Sequence, residues 1–94
     1  MDYSKLSDFE INNLVDGHIY TDVSEAPDTD YCNNPADAWP IIVGSKINIR
    51  FGAEGMACEA QFMQYGHESV ECYHTNPLRA AMIVFLMMQE SQHA

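Results

Sequence analysis

Ninety-four residues are enough for one small domain and too few for two, and a 47% apolar composition argues against a disordered chain. Fourteen Asp and Glu against four Lys and Arg give a formal charge of −10, which argues against direct DNA or RNA binding, since that needs a basic stripe to neutralise phosphates. Residues 1–45 carry nine acids against Lys5 alone, so the charge is concentrated in the first half, where it suits a partner with a basic surface.

The opening stretch KLSDFEINNLVDGHI predicts a helix. Ser7 is the N-cap, Glu10 completes a capping box, Leu6 is the staple residue, and Gly17 is the expected stop. Phe9, Ile11, Leu14 and Val15 form its apolar face, and the two central Asn residues make it dependent on packing. From His18 to Asn34 no periodicity persists, which predicts a long acidic loop. Asn34 and Pro35 then start a helical turn over residues 35–39, ended by Pro40, with Trp39 expected in the core.

The middle of the chain reads as strands. KINIRF alternates Ile47, Ile49 and Phe51 against Lys46, Asn48 and Arg50, and GAEG is a turn. MACEAQFMQY and SVECYH follow on either side of GHE, which predicts a three-stranded antiparallel meander. Arg50 is expected to pair with Glu59 or Glu71 on its outer face. Asn76 and Pro77 cap a last helix, whose apolar run is well short of the ~20 residues that span a bilayer. That helix belongs in the core, with Met82, Met87 and Met88 as pliable packing. Arg79 in its first turn meets the unfavourable end of the helix dipole and needs an acid beside it: Glu71, Asp37 or another acid of the N-terminal half. The expected fold is α+β, one domain over residues 1–94. Its three-stranded antiparallel sheet is packed by a C-terminal and an N-terminal helix, with a long acidic loop.

Little in the sequence carries chemistry. Cys32, Cys58 and Cys72 are odd in number, and MDYSKLSDFE lacks an apolar leader, which predicts reduced thiols in a cytosolic protein rather than a secreted disulfide framework. No Cys-x-x-Cys pair suggests zinc, and no glycine loop followed by a lysine suggests a phosphate site. His67, Cys72 and His74 are the nearest approach to a metal or nucleophile set. The sequence therefore predicts no catalytic residues, no metal and no cofactor.

Three longer words, MDYSKLSDFEIN, DYCNNPADAWPIIV and NPLRAAMIVFLMMQES, resemble the NinX-like family of small proteins of lambdoid and P22-like phages and their prophages. The resemblance implies a phage accessory gene near the nin genes, acting in the host cytoplasm. It supplies no catalytic residues. With the charge, it leads to the expectation of a non-enzymatic protein that binds and inhibits a host protein, such as a CRISPR effector or nuclease. Asp22, Glu25, Asp28 and Asp30 in the loop, with Asp16 and Asp37 at its borders, are the expected partner-binding residues. The alternatives are a homodimeric adaptor of phage replication or recombination functions, or a metal-dependent hydrolase.

Overall fold

The computed structural model describes residues 2–19, 29–63 and 69–93. The last helix, α3 (Pro77–His93), starts where its residue types dictate. Asn76 Oδ1 accepts the amides of Leu78 at 3.0 Å and Arg79 at 3.4 Å. Every residue from Ala80 to Leu86 is buried, as is Met88. A helix apolar around its whole circumference must be enclosed, and this one is. It packs against all three strands and against both other helices, α1 (Asp8–Ile19) and α2 (Pro35–Gly44).

The sheet runs β1 (Asn48–Arg50), β2 (Cys58–Phe62), β3 (Val70–His74), in that spatial order and antiparallel throughout. Ile49, Ala60 and Cys72 form one cross-strand row, turned toward α3. Arg50, Glu59 and Tyr73 form the next row, on the open face. There Arg50 Nε lies 3.9 Å from Glu59 Oε1, at the outer limit of an ion pair. The fold is α+β, with the helical packing the sequence predicts. Glycine shapes the β1–β2 hairpin at two points: Gly55 has φ +83°, and a Cβ on Gly52 would sit 2.4 Å from the Ala57 carbonyl oxygen.

The start of α1 is a capping box. Glu10 N donates to Ser7 Oγ at 3.1 Å and Ser7 N donates to Glu10 Oε1 at 3.0 Å. Two details depart from expectation. The helix continues through Gly17 to Ile19, because Ile11 and Val15 are buried and Asp16 is hydrogen bonded beside them, offsetting a mid-helix glycine that costs about 1 kcal/mol. Phe9 is exposed rather than packed. The inward face comprises positions 8, 11, 12, 15 and 16, which leaves 9, 13 and 17 on the solvent side.

The segment after Asn34 is longer than the expected turn. Asn34 Oδ1 accepts the Ala36 amide at 3.0 Å, and the helix passes through Pro40 to Gly44. Proline there removes a bond to the Ala36 carbonyl, but both residues face solvent, so that oxygen is open to water while Ala38 and Ile42 pack inward. The helix closes in a Schellman motif. Ile47 N donates to Ile42 O at 3.0 Å and Lys46 N donates to Val43 O at 3.2 Å. Lys46 therefore takes the left-handed position, with φ 59°, which a side chain disfavours by ~1–2 kcal/mol. Lys46→Gly is expected to raise stability by about 0.5–1 kcal/mol. An upward shift of the urea midpoint with an unchanged slope would show it.

Candidate functional site

The acidic half is organised by a polar ladder along α1. Asp8, Asn12 and Asp16 recur every four residues and so share one helix face. The chain returns along that face in the opposite direction. Asn33 Nδ2 donates to Asp8 Oδ2 at 3.2 Å. Asn12 Oδ1 accepts the buried Cys32 amide at 3.2 Å, while Asn12 Nδ2 donates to Asp30 Oδ1 at 2.9 Å. At the far end the Tyr31 hydroxyl donates to Asp16 Oδ1 at 2.6 Å, and Thr29 Oγ1 lies 3.1 and 3.2 Å from the two Asp16 oxygens. Of the two Asn residues that weaken α1 as an isolated helix, Asn12 is part of this seam and Asn13 faces solvent.

The ladder meets the starts of the other helices. Asp37, in the first turn of α2, accepts the Asp30 amide at 2.9 Å, and its charge is well placed at that helix end. Asn76 Nδ2 donates to Cys32 O at 2.7 Å and approaches Asn33 Oδ1 at 3.4 Å. The two asparagine-proline caps, at residues 34–35 and 76–77, are thereby joined through the turn at residues 31–33.

Arg79 closes the assembly. Its Nη1 donates to Asp8 Oδ1 at 2.6 Å and its Nη2 to Leu6 O at 2.6 Å, with Ser4 O at 3.4 Å and Tyr3 O at 3.5 Å. The acid beside Arg79 is Asp8, of the N-terminal half; it is neither Glu71 nor Asp37. That choice follows from direction: the guanidinium points toward the carbonyls that close the short 3-10 turn Tyr3–Lys5, and Asp8 is the carboxylate standing there. The bond from Arg79 holds the Asp8 carboxyl below its ordinary value. Burial opposes this, while the Asn33 bond and the charges of Arg79 and His74 assist.

The six expected partner-binding acids divide in two. Asp16 is buried, and Asp30 and Asp37 are half-buried, each accepting hydrogen bonds within the chain. Asp22, Glu25 and Asp28 lie outside the described residues. Asp16 therefore holds Thr29 and Tyr31 against α1. A helical i, i+4, i+8 run of Asp8, Asn12 and Asp16 was the sequence signal for this seam.

The residues nearest to a catalytic set are scattered or occupied. Burial pushes the Cys32 thiol up to about 12, with the Asp8 charge adding to it, and burial raises Cys72 as well. His74 Nδ1 accepts the Asn76 amide at 2.9 Å. His67 lies outside the described residues. Among the described residues no three His, Cys, Asp or Glu side chains converge as a metal site would require, and no helix is long and apolar enough to cross a membrane.

One apolar surface was not expected. Trp39 is 63% exposed rather than buried, and Phe51, at the end of β1, is 71% exposed. Trp39 follows the buried Ala38 on α2 and so points away from α3. Phe51 lies beyond the last paired residue of β1. With Val43, Ile49 and Lys46 they line a groove between α2 and the free side of β1.

Residues 17–89 match the family described as Bacteriophage P22, NinX. The chain belongs to this phage family. The match covers the end of α1, all of α2, the sheet and most of α3, so it includes Asn34, Trp39, Asn76 and Arg79. Asp8 and the capping box precede it. No curated protein and no solved structure is significantly similar to this NinX-family chain.

Proposed function

We propose that this chain is a non-enzymatic phage accessory protein that docks on a host protein in the host cytoplasm through its acidic half. The observation that carries the reading is the placement of charge: nine acids against one lysine in residues 1–45, in a chain whose total is −10. Such a surface is drawn to a basic one and repelled by nucleic acid. A protein built to hold nucleic acid, such as a nuclease or CRISPR effector of host defence, presents the complementary face. Covering that face would keep nucleic acid out.

Asp22, Glu25 and Asp28, with the exposed parts of Asp30 and Asp37, form the contact, and Asp16 holds Thr29 and Tyr31, which follow them in sequence. The test is capture from host lysate by the full chain, followed by mass spectrometry and by titration of the purified partner. The triple variant Asp22→Asn, Glu25→Gln, Asp28→Asn is expected to bind that partner at least tenfold more weakly, with an unchanged urea midpoint. Wild-type binding is expected to weaken as salt rises. A partner held equally by the variant, or no partner at all, would overturn the reading.

A further inference from the structure

We propose that the free edge of β1 and the groove beside it join two copies of this chain into a twofold dimer. The proposal goes beyond docking on a host protein and does not depend on it. Among the described residues β1 is paired only with β2, so its other edge offers backbone donors and acceptors to a further strand. The alternation of apolar and polar residues around it is symmetric about Ile49. Ile47 and Phe51 stand two residues to either side, and Asn48 and Arg50 stand one residue to either side.

Antiparallel pairing of two β1 strands centred on Ile49 therefore matches every position. Ile49 faces Ile49, Ile47 of one copy faces Phe51 of the other on the apolar side, and Asn48 faces Arg50 on the open side. Aromatic and β-branched residues are favourable cross-strand pairs. The register also keeps like charges apart, because each Arg50 meets an Asn and each Lys46 lies opposite Gly52.

Two further observations favour a second copy as the occupant. Two chains of charge −10 repel, so they meet most easily where acids are few, and the described lining of this groove has Lys46 and no acid. Trp39 and Phe51, each roughly two thirds exposed, leave on the order of 250 Å² of aromatic surface uncovered per copy. That is about a third of the ~800 Å² each partner gives to a standard interface, and Val43, Ile49 and the strand edge lie around it.

Light scattering and sedimentation equilibrium of the full chain test the proposal. The expected mass is twice 10.6 kDa, falling toward the single-chain value on dilution. Phe51→Asp and Trp39→Asp, at exposed positions the fold tolerates, are each expected to weaken association at least tenfold with unchanged circular dichroism. Phe9→Asp, equally exposed but on α1, is expected to leave it intact. Ile49→Cys places a thiol on the twofold axis, and mild oxidation is expected to cross-link that variant while the unmutated chain, whose Cys32 and Cys58 are buried and whose half-buried Cys72 lies on β3, two strands from the axis, stays uncross-linked. A wild-type chain monomeric at its highest soluble concentration would overturn the proposal. So would a dimer insensitive to both aspartate variants, or one in which Ile49→Cys fails to cross-link.

Discussion

Arg79→Ala is expected to cost about 3–4 kcal/mol, which for a chain of this length is a large share of a total between about 5 and about 14 kcal/mol. The arginine is buried and holds Asp8 and the Leu6 carbonyl at 2.6 Å each, with longer approaches to Ser4 and Tyr3. Hydrogen bonds to a charged group contribute roughly 1.5–3 kcal/mol each when lost. The Asp8 side chain is 42% exposed and can return to water, which keeps the cost below the sum. Arg79→Lys is expected to cost about 1–2 kcal/mol, since an ammonium reaches the carboxylate or the carbonyls but lacks the planar fork that reaches both. Urea unfolding of the three chains gives the comparison. The Asp8 carboxyl is depressed in the fold, so its contribution is complete above the ordinary carboxylate value near 4 and is lost as pH falls toward the folded value. The wild-type stability curve should therefore fall more steeply below about pH 4 than that of Asp8→Asn. Equal slopes would remove Asp8 from the account.

Asp16→Ala is expected to cost about 2–4 kcal/mol, because it withdraws a buried carboxylate that accepts from Tyr31 at 2.6 Å and from Thr29. Tyr31→Phe is expected to cost about 1–2 kcal/mol. The double variant should cost less than the two together, because one bond is counted in both. An additive pair in a double-mutant cycle would contradict the direct bond. This bears on any binding experiment: an Asp16 variant that loses a partner has first loosened Thr29 and Tyr31, which follow the acidic segment in sequence. In the proposed reading, variants at Asp22, Glu25 and Asp28 are the ones that test the contact.

Much of the fold was legible because short-range chemistry fixes it. Ser7 with Glu10, Asn34 with Pro35 and Asn76 with Pro77 each named a helix start, and alternation named the meander. What escaped depended on neighbours distant in sequence. Pro40 and Gly17 looked like stops because local propensity counts their cost, whereas burial of Ala38, Ile42 and Val15 outweighs it. Trp39 looked like a core anchor because aromatic rings usually are, yet its helix turns Ala38 and Ile42 inward. The need of Arg79 for an acid followed from the helix dipole, but its identity required knowing that residue 8 lies beside residue 79. The seam along α1 was hidden because Asp8, Asn12 and Asp16 read as solvent-facing polar residues until the returning chain is placed against them.

The position of α3 sets when this protein can complete its fold. Synthesis proceeds from the amino end, and every other element leans on residues that follow Pro77. Until that helix has left the ribosome, the sheet has no cover and α1 has no Arg79 to receive its first turn. At roughly 5–20 residues per second, β3 waits about 1–4 seconds and α1 about 4–15 seconds for α3 to be complete. Through that interval the nascent chain exposes apolar strands, and its first 45 residues carry a net charge of −8. That charge keeps neighbouring nascent chains apart. The acidity concentrated ahead of the core is thus in place before the apolar strands have their cover.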